Sequence, residues 1–212
     1  RLNRAPVTQT TDFIDENPAL DAESVYTVRP VVGGKEGPVG GEARLPANPE
    51  AKPYLSIKLQ GDYTFQKVGV GDLNGDGRLD YVIKTPQDNI DPAHSYWTPS
   101  PDTYKLEAYL HDGTFLWRYD MGWAIERGIW YSPYVVWDLD GDGKAEVAVK
   151  AGEGDPRGPD GRVHRGPEYC VILDGLTGKP RARVEWPKRE AFGGGLTGYN
   201  YASRNQMGIA YL

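Results

Sequence analysis

The sequence predicts an all-β chain: β-propeller blades with D-x-D-x-D-G calcium loops, preceded by the end of a small β-sandwich domain. Three observations predict it. An acidic motif occurs twice, as Asp72-Leu73-Asn74-Gly75-Asp76-Gly77 and as Asp138-Leu139-Asp140-Gly141-Asp142-Gly143. Each copy leads into a β-branched or aromatic run, Tyr81-Val82-Ile83 or Val147-Ala148-Val149, which favours a strand. Short alternating segments separated by turn residues surround both copies, and 27 glycines with 17 prolines leave little room for long helices.

Taken in order, residues 1–23 show no period. Residues 24–32 read as a strand in which Pro30 marks an edge or an end, and Gly33-Gly34 as a turn. Residues 35–53 carry seven Gly or Pro and read as loop; residues 54–59 alternate and read as a strand. Residues 1–60 are therefore expected to be the end of an N-terminal β-domain and a linker. Residues 61–212 then repeat a unit of four strands. In the first unit the strands are 65–72, 79–84, 104–110 and 114–119; in the second they are 134–139, 145–150, 168–173 and 180–186. A further first strand is expected at 206–212. Four strands per repeat is the pattern of a propeller blade, and a ring needs roughly four to eight blades. Two blades and the start of a third are thus read as a fragment, with the remaining blades of the full-length chain as its partners.

The repeated motif places hard oxygen donors at alternate positions, with glycine where the chain must turn sharply, as a Ca2+ loop requires. Side chains of Asp72, Asn74, Asp76 and Asp80 and the Arg78 carbonyl form the first expected ligand set. Asp138, Asp140, Asp142, Glu146 and the Lys144 carbonyl form the second. An EF-hand is excluded, because loop position 12 is Ile83 or Val149 and a strand follows. A loop closed by its own oxygens leaves little room for substrate, so the ions are expected to be structural. An acidic hairpin turn without metal is the plainer alternative.

Strand alternation puts both acidic loops on one face of the sheets and the long connections 85–102, 121–132, 151–167 and 188–205 on the other. Long loops on a rigid scaffold usually carry function. A formal net charge of −6 without a basic run argues against nucleic acid. No apolar run is long enough to span a membrane. Cys170 is the single cysteine, so there is no disulfide framework, and a buried strand position is expected for it. Ca2+ loops of this kind fill at extracellular calcium levels, which favours a secreted protein. The chain starts at Arg1 without a signal peptide and is expected to be a mature protein or a piece of one.

The ordered set Val70 to Gly77, Leu110-His111-Asp112-Gly113-Thr114-Phe115-Leu116-Trp117-Arg118, Trp137 to Lys150 and Met207 to Leu212 resembles the first blades of the rhamnogalacturonan lyases of polysaccharide lyase family 11. Val28-Arg29-Pro30-Val31-Val32-Gly33-Gly34 is similar to the end of that family's fibronectin-like domain. The resemblance covers about residues 25–212. It implies a secreted, Ca2+-dependent enzyme with a calcium-rich propeller, which cleaves the rhamnose–galacturonate backbone of pectin by β-elimination. Residues 65–67 and 85–92 depart from the family pattern, which leaves open a sister lyase on another rhamnose–uronate polymer. A non-catalytic, calcium-stabilised propeller for carbohydrate binding or adhesion is the alternative from another class.

β-Elimination at a uronate needs a cation to neutralise the carboxylate and a base to remove the C5 proton. Lys84 and Lys150, matched at the loop-face ends of their strands, are the candidate catalytic groups; without a role they would be ordinary exposed lysines. Arg127, Tyr131, Arg204 and Asn205 are candidates for substrate binding. His94 and His164 are possible bases but read better as solvated loop residues, and His111 falls on the opposite face. Trp97, Trp123 and Trp130 would stack on sugars or pack the loops.

Overall fold

The computed structural model describes residues 2–9, 12–49, 54–87, 98–128, 131–193 and 206–210. Contacts divide the chain into two units, residues 1–55 and 56–212.

In the first unit, β1 (Ser24–Val28) pairs antiparallel with β4 (Gly41–Leu45), and β2 (Val31–Val32) with β3 (Lys35–Glu36). Pro30 falls between β1 and β2, where its missing N–H costs no ladder bond. The stretch 35–53 is a correction: the glycines and prolines that suggested one long loop lie around β3 and β4. What makes β4 a strand is its non-local ladder with β1, in which Ser24 faces Leu45 and Val28 faces Gly41. The alternating segment 54–59 makes no strand, because alternation without a partner edge leaves the backbone unpaired.

The second unit holds two four-stranded antiparallel meanders. The first is β5 (Lys67–Gly71), β6 (Asp80–Thr85), β7 (Lys105–Tyr109) and β8 (Phe115–Asp120). The second is β9 (Tyr134–Trp137), β10 (Glu146–Gly152), β11 (Glu168–Leu173) and β12 (Pro180–Glu185). All eight expected strands are present within a few residues. The ninth, expected at 206–212, is not formed among the described residues 206–210. A short 3₁₀ turn, Arg189–Phe192, follows β12. Among the described residues, no helix is long and apolar enough to cross a membrane.

The ladder registers make the repeats equivalent residue by residue. Lys84 pairs with Leu106 as Lys150 pairs with Cys170, and Val82 with Ala108 as Ala148 with Ile172. The face carrying the lysine is called the front. The front of the first sheet (Val82, Leu106, Ala108, Trp117) packs on the back of the second (Val136, Val147, Val149, Val171, Leu173), and together these residues form the core. Stacking is therefore front to back. β5 permits it through glycine. A Cβ on Gly69 would lie 2.6 Å from Val136 Cγ2, and one on Gly71 2.7 Å from Val136 Cγ1. The second sheet has Val135 and Trp137 at these positions, and Trp137 is 47% exposed.

Candidate functional site

The acidic loops are the turns β5–β6 and β9–β10, and they share one hydrogen-bond lattice. Asp72 Oδ1 accepts the N–H groups of Gly75 (2.7 Å) and Asp76 (3.2 Å), and Oδ2 that of Gly77 (2.7 Å). Asp138 does the same with Gly141 (2.8 Å), Asp142 (3.1 Å) and Gly143 (3.0 Å). Asn74 and Asp140 each take the N–H two residues on, and so do Asp76 and Asp142. Asp80 closes the first loop on the Leu73 N–H, and Glu146 the second on the Leu139 N–H, both at 2.9 Å. Gly75, Gly77, Gly141 and Gly143 all have positive φ, a conformation that costs glycine least and lets successive N–H groups converge on one carboxylate.

The donors are hard oxygens. Asp138, Asp140 and Glu146 offer carboxylate oxygens within 4.8 Å of one another, a spacing and chemistry that fit a hard cation such as Ca2+. Burial holds the Glu146 carboxyl above its usual range, although the Leu139 N–H opposes this. The Asn74 side chain holds Asp76 below the usual range, helped by the Arg78 N–H. Surroundings differ between the loops. Arg181 contacts Asp140 Oδ2 at 2.9 Å and Glu146 Oε1 at 2.5 Å. At the first loop, His111 donates its backbone N–H to Asp80 Oδ1 (2.8 Å), and Arg78 lies 2.7 Å from its Nε2. His111 thus sits on the acidic-loop face as expected, beside the ligand set.

Both candidate lysines are buried, which corrects the expectation of exposed strand ends. Lys84 is 0% exposed and donates to the carbonyls of Tyr131 (2.5 Å) and Ser132 (3.2 Å), with the Tyr104 ring 4.8 Å away. Burial pushes its pKa down to about 7, with Lys67 adding to the effect. Lys150 lies 2.9 Å from Glu168 Oε1 and 5.4 Å from the Trp186 ring. Burial lowers its pKa while Glu168 opposes the shift. Glu168 also receives Arg189 at both oxygens, at 2.8 and 2.9 Å. Burial would raise Glu168, yet Arg189 and Lys150 together hold it below its usual range.

Tyr131 is buried and meets Lys84 through its carbonyl. With Lys150, Glu168 and Arg189 it lines a cavity of about 10 Å³, room for one water at most. Arg127 is half-buried, and its backbone N–H bonds Ser100 Oγ. Arg204, Asn205, His94, Trp97 and Trp130 lie outside the described residues. His164 pairs with Asp160 at 2.8 Å, Arg157 stacks 3.9 Å from the Trp123 ring, and Cys170 is half-buried in β11. A larger open cavity of about 340 Å³ lies beside Trp186, Glu168, Arg165, Lys188 and Arg189.

Sequence reasoning missed the partners: Glu168, Arg189, Arg181, and Glu107, which is fully buried and held by Tyr63, Tyr109 and Arg118. For the two glutamates the one local signal is a carboxylate inside a largely apolar strand, which requires compensation without naming its source; the two arginines carry none.

Comparison with known proteins assigns the second unit to a family. The family model described as "Rhamnogalacturonan lyase family 11, C-terminal domain" matches residues 56–212. The chain belongs to this family. It is similar to the rhamnogalacturonan exolyase YesX of Bacillus subtilis (strain 168), with 35% identity over 239 residues that cover 100% of this chain and 38% of YesX. The rhamnogalacturonan endolyase YesW of the same organism is 36% identical over 241 residues, covering 100% of this chain and 37% of YesW. Exo- and endo-acting relatives thus match equally well. The crystal structure of exotype YesX superposes with a TM-score of 0.66 at 35% identity, over 92% of this chain and 36% of that one. The Bacillus licheniformis rhamnogalacturonan lyase PL11 gives 0.67 at 28% identity, over 93% and 38%. The chain therefore spans under two fifths of these relatives.

Proposed function

We propose that this chain is part of a secreted, Ca2+-dependent lyase that cleaves rhamnogalacturonan by β-elimination at the uronate. Family membership supports the reaction class. One observation carries the calcium reading. Two loops remote in sequence build the same lattice of N–H groups on oxygen donors, each at the turn between the first two strands of a sheet. Asp72, Asn74, Asp76, Asp80 and the Arg78 carbonyl would hold one ion. Asp138, Asp140, Asp142, Glu146 and the Lys144 carbonyl would hold the other. Ca2+ there would supply a cross-link through the turn. Millimolar calcium outside cells favours secretion.

Front-to-back stacking supports the propeller. Such contacts are heterologous and close into a ring when the rotation per sheet allows. The open front of the second sheet, with Trp137 and Val184 exposed, would receive the next blade of a longer chain. On this reading residues 1–55 end a fibronectin-like domain. Lys84 and Lys150 serve as struts that hold the connection at Tyr131–Ser132 and the start of β11. On the loop side, Arg127, Arg157, Arg165 and Lys188 would contact the carboxylates of an acidic polymer.

The test is ultraviolet absorbance of the full-length protein with rhamnogalacturonan, with and without a chelator. A rise from the unsaturated uronate that the chelator abolishes is expected. A flat trace from folded, calcium-loaded protein refutes rhamnogalacturonan as substrate; absorbance on a sister rhamnose–uronate polymer would then replace it.

A further inference from the structure

We propose that Arg181 is a resident counter-cation of the second acidic loop, placed to offset its additional carboxylate and to weaken its hold on Ca2+. The proposal rests on the calcium reading of both loops. Three observations meet at this residue.

The first is position. The β11–β12 ladder slips between Ile172 and Leu173, and Arg181 is the bulged residue that faces no partner in the register. The first sheet slips at the matching place, between Ala108 and Tyr109, and its bulged residue is Leu116. The two sheets therefore differ here by one positive charge. The second is composition. Asn74 in the first loop corresponds to Asp140 in the second, so the second loop carries one more negative charge. The third is contact. The Arg181 guanidinium reaches that additional carboxylate at 2.9 Å and also meets Glu146 at 2.5 Å. Each repeat thus carries a matched pair, neutral with neutral (Asn74, Leu116) or anion with cation (Asp140, Arg181).

A guanidinium stays charged at any accessible pH. An ion entering the second loop must displace it from Asp140 and Glu146 or bind beside its positive charge; both weaken binding. At the first loop Asp80 takes two backbone N–H groups and has the His111 ring Nδ1 3.8 Å away, with no guanidinium among these contacts.

The second loop has its own reporter. Trp137 directly precedes Asp138, whereas Gly71 precedes Asp72. The full-length protein is stripped of metal and titrated with Tb3+ under tryptophan excitation. Emission that disappears in W137F belongs to the second loop, and competition with Ca2+ then gives that loop's affinity. R181Q is expected to tighten Ca2+ binding there by about tenfold, near 1.4 kcal/mol. D140N/R181Q is expected to return near the wild-type value, and D140N alone to weaken binding. Melting in saturating Ca2+ verifies that each variant folds; D140N alone still decides the matter if R181Q does not. Unchanged or weaker binding in R181Q, or unchanged binding in D140N, overturns the counter-cation role and leaves the calcium reading standing. No Trp137-dependent emission in any of these proteins overturns both.

Discussion

The two sheets of the second unit are built on one pattern, yet their matched lysines are held in different ways. In the first sheet, Lys84 ends against two backbone carbonyls and a tyrosine ring, with no carboxylate among these contacts. In the second, Lys150 meets Glu168, which Arg189 also grips. The difference comes from what covers each front. The front of the first sheet is covered by the second sheet and by residues 121–128 and 131–133, so backbone carbonyls are at hand. On the front of the second sheet, Glu168 stands where the first has Tyr104, and Trp186 stands where it has Met121. A repeat thus conserves a side chain's direction while its partner depends on the neighbouring layer.

The largest expected effect breaks the second cluster. Glu168→Gln removes the carboxylate that Lys150 and Arg189 share, while Glu126 still acts on Lys150, at a cost of about 3–5 kcal/mol in chemical unfolding at neutral pH. The sign with pH follows from the lowered carboxyl of Glu168. Its stabilisation is complete above the unfolded-state pKa and is lost as pH falls through the folded-state value. Wild type should therefore lose stability towards acid more steeply than the variant; equal acid slopes would refute the assignment.

Lys84→Met sharpens the comparison from the other side. The folded-state pKa of Lys84 is near 7, below the ordinary 10.5 of lysine. Between these values the unfolded chain binds a proton that the folded protein has shed, so wild-type stability should rise with pH by up to about 1.4 kcal/mol per unit. The methionine variant should lack that rise in unfolding experiments at pH 7, 8 and 9. A parallel rise in both proteins would show that Lys84 has another partner.

The smallest effect concerns Tyr104, the counterpart of Glu168. Its hydroxyl donates to the Gly128 carbonyl (3.0 Å) and accepts from the Gly128 N–H (2.8 Å). Tyr104→Phe should cost about 1 kcal/mol in thermal unfolding, with no change in acid slope. A cost as large as that of Glu168→Gln would mean that hydrogen bonding, rather than charge, distinguishes the two sites.

Much of this architecture is legible in the sequence because its signals are local. The acidic loops announce themselves through glycines at positive φ and alternating oxygens. The strands β5 to β12 show in their apolar runs between turns. Two segments of the first sixty residues misled for a related reason. β4 exists through its ladder with β1, and residues 54–59 alternate without finding an edge. Burial of Lys84 was illegible as well, since a lysine at a strand end carries no mark of what will cover it.

By itself, the sequence determined the repeat, the turn chemistry and the all-β class, because each depends on residues within one or two turns of one another. The tertiary structure alone decided that the sheets stack front to back and that Gly69 and Gly71 make room for Val136. It also decided that the equivalent lysines meet carbonyls in one repeat and a carboxylate in the other, and that Arg181 falls on the carboxylate Asp140 adds. The physical reason is range: backbone preference acts between neighbours in sequence, whereas burial and charge pairing act between neighbours in space.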